Sequence, residues 1–434
     1  MDRFFQLSAN KTSIRQEAVA GLTTFLAMAY ILFVNPDILG AAGMDQGAVF
    51  VATALAAMVG SIIMGLIANY PIALAPGMGL NAFFAYTVVI NYGMSWQAAL
   101  FAVFASGVIF IFITIFKLRE KIINAIPEEL KYAAGAGIGL FIAFIGLKNA
   151  GIVVGDEATL VTMGNLQSPG TLLAIFGIVI TIILVVMNIK GAVFYGLALT
   201  ALAGILTGMN SLDGGILSMP PSLTTFGAAF QFESWTDEIF TLQMLIVILT
   251  FLFIVFFDTA GTLFAVATQA GFVKDNRLPR AGRALFADAS ATTVGAVFGT
   301  STTTAYVEST SGVAVGGRTG LTAIFTGLFF LVALFFSPLL SVITEQVTAP
   351  ALIIVGVMMA TSLRHIDWNK MEIAVPVFFT VVTMPLTYSI ATGIALGFVL
   401  YPLTMVVKGR GKELHPLMYL LFVAFVLFLF FLPH

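Results

Sequence analysis

Residues 46–116 contain no Asp, Glu, Lys or Arg, and neither do residues 373–407. One membrane-crossing helix needs only about 20 apolar residues. Each tract therefore holds several crossings in succession. Over the whole chain of 434 residues 59% are apolar and 9% charged, where a soluble domain carries about a quarter charged residues. A water-soluble fold is excluded, and a polytopic transporter or channel is the class that remains.

The few reactive side chains narrow the chemistry further. There is no cysteine, so disulfides and thiolate metal sites are ruled out. The three histidines, His365, His415 and His434, fall in a polar connection or near the C-terminus, so haem, zinc and paired-histidine chemistry at membrane depth have no ligands. No metal or other cofactor is expected. Neither the net charge of −2 nor any basic run points to nucleic acid. The N-terminal MDRFFQLSANKTSIRQE lacks a short apolar core before a cleavage site, so no removable leader is expected.

Apolar segments bounded by charges, Gly/Pro pairs or polar turns fall at 18–38, 47–68, 72–92, 96–116, 132–148, 170–189 and 192–208. A second series of seven follows at 241–268, 284–300, 302–317, 320–343, 348–362, 372–386 and 389–407, with a further apolar stretch at 414–433 that either spans or lies at the interface. The chain thus reads as an all-α polytopic membrane protein of about 14 crossings. Its parts are a first repeat at 14–208, an extracytoplasmic connection at 209–240, a second repeat at 241–408 and an extra segment at 409–434.

Cytoplasmic loops retain Lys and Arg. Lys11 and Arg15 place the N-terminus in the cytoplasm, and alternation then puts Lys117, Arg119, Lys121, Lys190, Arg280, Arg318, Arg364 and Lys408 on the same side. Residues 209–240, acidic and free of Lys and Arg, go to the other side, and Lys148 is the one exception. Because seven is odd, the second series enters from the opposite face, which makes two similar halves an inverted repeat. Val59-Gly60 and Val294-Gly295, in the second crossing of each half, give weak sequence support. Glycines are also simply common where membrane helices pack closely.

Two crossings would make poor helices in lipid. The third opens with Pro71, Pro76, Gly77, Gly79 and Asn81, and the tenth opens with five consecutive hydroxyl residues, Thr300 to Thr304. Irregular backbone at membrane depth is tolerated only where protein or a cavity surrounds it, and paired interruptions at equivalent positions of two halves point to a transporter's central site. Asp258, midway along the eighth crossing, and Glu308, just after the hydroxyl run, have no Lys or Arg at helical-neighbour spacing. A buried carboxylate is costly unless paired or neutral. Both are candidate proton carriers and ligand contacts, the plainer alternative being a carboxylate that caps a broken helix. Thr262 lies one turn from Asp258, and Asn81 can both donate and accept; each could instead bond its own backbone. Phe83 or Phe84 could stack on a planar ligand or simply pack. Asp37, Asp45 and Asp288 sit near the ends of crossings, where solvation or capping is expected, with Asp288 a lower-ranked relay carboxylate.

The segments TTFLAMAYILFVNP (23–36), APGMGLNAFF (75–84), FDTAGT (257–262) and TTTAYVESTSG (302–312) together resemble the xanthine/uracil permease superfamily, or nucleobase-cation symporter-2 family. Within it they resemble the AzgA-like guanine/hypoxanthine/adenine permeases. The resemblance implies short strands in the third and tenth crossings, a core domain of about 14–117 plus 241–343, and a gate domain of about 129–208 plus 348–408. It also implies a substrate site of Asp258, Glu308 and Asn81, completed by backbone near Phe84 and Val307, with Thr262 where the uracil branch tends to have His. Asp258 in place of that branch's Glu leaves room for a bicyclic purine. The expectation is a proton-coupled purine nucleobase importer of the cell membrane, multi-pass and homodimeric, with Glu308 and Asp258 in proton coupling. An anion transporter of the same architecture, a channel and a membrane enzyme are the alternatives. Two acids at the site disfavour the first and paired interruptions the second; the third lacks a nucleophile–base pair.

Overall fold

The computed structural model describes residues 2–116, 126–212, 215–232, 234–272 and 278–431. The first crossing is split into α1 (Ile14–Met28) and α2 (Ile31–Gly40). The split is a tight turn in which the N–H groups of Leu32 and Phe33 donate to the carbonyls of Ala29 and Tyr30, both at 3.1 Å, and Pro36 cannot donate to the carbonyl one turn earlier. The second crossing, α3 (Gln46–Ile63), starts at the N-cap Asp45, whose side chain accepts from the Ala48 N–H at 2.7 Å. Capping is thus the role Asp45 plays.

The third crossing consists of strand β1 (Leu74–Pro76), the short helix α4 (Met78–Ala82) and a π-helical stretch, Phe83–Asn91. Then come α5 (Trp96–Ile115) and α6 (Glu128–Asn149), a hairpin of β2 (Val153–Asp156) and β3 (Leu160–Met163), α7 (Pro169–Val186) and α8 (Ala192–Leu206). The hairpin is an element the apolar pattern does not predict. Its turn is set by Asp156, whose carboxylate accepts from the Thr159 N–H and hydroxyl and from the Ala158 N–H. Those bonds hold the Asp156 carboxyl below its ordinary range.

The second series runs α9 (Leu242–Gln269), α10 (Ala281–Phe298), β4 (Thr303–Ala305), α11 (Ser309–Ala314), α12 (Gly320–Ala333), α13 (Glu345–Ala360), α14 (Met371–Thr387) and α15 (Ile390–Val407), with α16 (Pro416–Phe431) after it. Among the described residues eight helices are long and apolar enough to cross a membrane, and five more are shorter and apolar. The helices pack in two groups. In one, α12 lies on α1 and α3 while α10 lies on α3 and α5; in the other, α6 lies on α13 and α14, α14 on α15, and α7 on α8 and α13.

The two interruptions meet. β1 and β4 pair antiparallel with Leu74 opposite Ala305, Ala75 opposite Thr304 and Pro76 opposite Thr303. The ladder extends through Gly77 N–H to Thr302 O at 2.9 Å and Tyr306 N–H to Ala73 O at 3.0 Å. Two strands cannot satisfy their own outer edges. Neighbouring helices supply the partners: the Ser61 hydroxyl of α3 accepts from the Leu74 N–H at 3.0 Å, and the Thr292 hydroxyl of α10 donates to Thr303 O at 2.8 Å. Each half thus uses a hydroxyl on its second crossing to hold the strand of its third.

The 209–240 connection is more than a loop. Thr225, Ala228 and Ala229 are buried, the Thr225 hydroxyl donates to Phe298 O at 2.9 Å, and the Gly227 N–H donates to Val297 O at 2.7 Å. These contacts serve the last carbonyls of α10, which no helical partner reaches. The start of α12 is held by a residue outside its own segment. Glu17 of α1 is fully buried and accepts from the N–H groups of Arg318, Thr319 and Thr322 at 3.0, 3.2 and 3.1 Å and from the Thr319 and Thr322 hydroxyls at 2.9 and 2.6 Å. A carboxylate at a helix N-terminus also gains from the positive end of the dipole. Gly65 and Gly320 allow the approach, since a Cβ on either would meet the other's backbone. Glu17→Ala is expected to destabilise the protein by about 2 kcal/mol, read as a lower unfolding temperature in detergent than the wild type; an unchanged temperature would contradict this role.

Candidate functional site

Where the strands end, two helices begin. α4 starts after Gly77 and α11 starts after Glu308, so both N-termini open onto one region between the two helix groups. A Cβ at Gly77 would lie 3.0 Å from the Thr304 hydroxyl, a tight contact that the glycine avoids. The region encloses a cavity of about 120 Å³, bordered by Tyr30, Thr262, Thr304, Val307, Glu308 and Met359 and by residues 77–80. At the roughly 30 Å³ that each water takes up in the liquid, that volume corresponds to about four waters, room for the ring of a small heterocycle.

Glu308 is half-buried at the cavity wall. Its Oε1 accepts from the hydroxyl of Tyr30 at 2.6 Å. Tyr30 is fully buried and occupies the break between α1 and α2. Tyr306, at the end of β4, donates its hydroxyl to Pro76 O across the strand pair. The wall therefore combines a carboxylate, two aromatic rings, the Thr262 hydroxyl and two helix N-termini. This set can accept hydrogen bonds from ring N–H groups and pack against a flat face.

The candidate residues are placed as follows. Glu308, Val307 and Thr262 border the cavity, and Val307 is 44% exposed there. Asp258 lies on α9 one turn before Thr262, but its side chain is outside the described residues. Asn81 and Phe84 are fully buried in α4 and in the π-helical stretch, and neither borders the cavity in this conformation. Among the described residues neither amide atom of Asn81 has a hydrogen-bond partner. Tyr30 and Tyr306 were not singled out from the sequence. The available signal was a phenol in each of two segments, TTFLAMAY and TTTAY, that already stood out as motifs.

The other acids near ends of crossings differ from one another. Asp37 accepts from the Thr348 hydroxyl of α13 at 2.7 Å and so joins the two helix groups. Asp288 is neither solvated nor at a helix end: it is fully buried within α10, where its Oδ2 accepts from the Thr259 hydroxyl at 2.8 Å. At the end of the bundle that carries Asp37, Tyr388 packs edge-on against Tyr86, Phe141 and Phe144 with centroids 5.6, 5.2 and 6.1 Å away. The Lys148 ammonium sits 5.4 Å from the Tyr388 ring centre, a cation–π contact that gives this exception to the charge pattern a local partner.

Comparison with known proteins agrees with this architecture. The xanthine/uracil permease model, described as a permease family, matches residues 15–396. The guanine/hypoxanthine permease PbuG of Bacillus subtilis is 60% identical over 100% of both chains. The adenine permease AdeQ of Escherichia coli is 45% identical over 96% of this chain and 93% of its own. Among solved structures, the transmembrane domain of the cyanobacterial bicarbonate transporter BicA superposes with a TM-score of 0.66 at 16% identity, covering 88% of this chain and 97% of that one. The fold is that of the seven-plus-seven inverted-repeat transporters.

Asn81 yields a direct test. A buried amide without partners costs about 1–3 kcal/mol, so the similarly sized Asn81→Leu should unfold at a higher temperature than the wild type. An unfolding temperature lowered by the substitution would mean that the amide is bonded in the folded protein.

Proposed function

The chain belongs to the xanthine/uracil permease family, and we propose that it imports purine nucleobases across the cell membrane by proton symport. The observation that carries this reading is the Glu308 carboxylate at a cavity formed where two interrupted crossings pair. The full-length relatives named for guanine, hypoxanthine and adenine supply the substrate class.

In this reading the base lies against β1 and β4. Glu308 and Asp258 accept from its ring N–H and exocyclic donors, Thr262 contacts its edge, and backbone near Val307 and Phe84 completes the site. Asn81 and Phe84 are buried away from the cavity here, so they join the site only after the helix groups shift. The groups correspond to a core (about 14–117 plus 241–343) and a gate (about 129–208 plus 348–408). Their contacts at Asp37–Thr348 and Tyr86–Tyr388 form the extracytoplasmic closure, with the N-terminus in the cytoplasm. Alternating access then means breaking those contacts while the strand pair stays intact. Glu308 or Asp258 carries the proton, because neutralising a carboxylate lowers the penalty of closing it away from water. A homodimer belongs to the same reading.

Proteoliposomes should accumulate radiolabelled hypoxanthine, guanine or adenine under an inward proton gradient and lose the accumulation when a protonophore collapses it. Glu308→Gln should reduce accumulation at least tenfold. No accumulation of any purine, or accumulation indifferent to both the protonophore and the substitution, would overturn the proposal.

A further inference from the structure

Tyr30 is placed with more precision than packing demands. It stands at the one break in the first crossing, and its carbonyl accepts from Phe33 and Val34 at 3.1 and 3.0 Å, which fixes its backbone. Its ring is fully buried, yet its hydroxyl reaches the cavity wall to donate to Glu308 Oε1 at 2.6 Å. A free phenol ionises near pH 10, so at neutral pH Tyr30 keeps its proton, and donating it to Glu308, as it does here, favours the ionised carboxylate over the protonated one.

We infer that Tyr30 is a positioning residue for proton exchange at Glu308: its hydroxyl orients the carboxylate and sets the pH at which that carboxylate takes up and releases its proton. The inference rests on the reading of Glu308 as a proton carrier. Around Glu308 the described titratable groups are Tyr30 from the first crossing and Tyr306 from β4. The elements opposite present Thr262, Ile138, Val355 and Met359 and the residues 77–80, none of which titrates near neutral pH. Asp258 of α9 is the remaining acid on the facing helix. Arg318 is turned elsewhere, its guanidinium donating to Val313 O and Gly317 O at 2.7 and 2.8 Å. Tyr30 donates to the Glu308 carboxylate directly at 2.6 Å, so its loss should register in the titration of Glu308. Its place in the break of the first crossing also ties that titration to the core helices.

The test is an infrared titration of the purified protein in detergent, following the protonated-carboxyl absorption that Glu308→Gln removes. In Tyr30→Phe its midpoint should move to more alkaline pH by about one unit, the size expected for losing one hydrogen bond to a charged group. Fluorotyrosine incorporated at position 30, whose hydroxyl is a stronger donor, should move it the opposite way and keeps the test open if the Phe variant does not fold. The alkaline limb of hypoxanthine uptake in proteoliposomes should follow the same shifts. A merely structural role would lower uptake by one factor at every pH. Unmoved midpoints in both variants would overturn the inference; proton-independent uptake by the wild type would instead overturn the transport reading, with the infrared result still deciding on Tyr30.

Discussion

Backbone N–H and C=O groups at membrane depth have no water to bond, and each one left unpaired costs several kcal/mol. A helix avoids that cost within its own segment. Two segments of this chain cannot: one is punctuated by Pro71, Pro76, Gly77 and Gly79, and the other is a run of hydroxyl residues from Thr300 to Thr304. Neither is stable alone in lipid. They solve the problem jointly, by pairing as β1 and β4 and by borrowing Ser61 and Thr292 from the helices alongside. The centre of the protein is therefore an element built from both halves of the chain, and the helices that cover it are arranged around that need.

The site follows from the same arrangement. A strand that turns into a helix brings that helix's N-terminus to the point where the strand ends, and here two such ends converge on one cavity. A carboxylate is tolerated at this depth because Glu308 sits at that turn and receives the Tyr30 hydroxyl. The second helix group closes the cavity from the other side with Ile138, Val355 and Met359. Contacts between the groups, such as Thr348 to Asp37, are few and local compared with the packing inside each group. That contrast supports the proposed movement of one helix group against the other.

Much of this was legible in the sequence. Every predicted crossing coincides with a helix, with the split pair α1 and α2, or with a strand followed by a helix, because length and apolarity dominate what spans a bilayer, and the Pro/Gly and hydroxyl runs marked where spanning helices fail. The hairpin between α6 and α7 was not legible, since two four-residue strands that are largely exposed carry no period-two signal. Nor was the burial of Glu17 and Asp288, because the hydroxyls and N–H groups that bond them come from residues 29 to 305 positions away in sequence. Within the site, Glu308 could be expected from its place just after the hydroxyl run and Thr262 from its helical spacing to Asp258, while Val307 was implied by the resemblance alone. Tyr30 could not, because its partner is 278 residues distant and an aromatic in a membrane helix is usually packing.

The central claim is that the strand crossing forms a purine site rather than an anion site like those the architecture also supports. Equilibrium binding of radiolabelled hypoxanthine to the purified protein in detergent, challenged with unlabelled guanine, adenine, bicarbonate and chloride, tests it most directly. The account predicts saturable binding displaced by a purine and untouched by either anion. Absence of saturable binding for every purine tried, or displacement by bicarbonate, would contradict it.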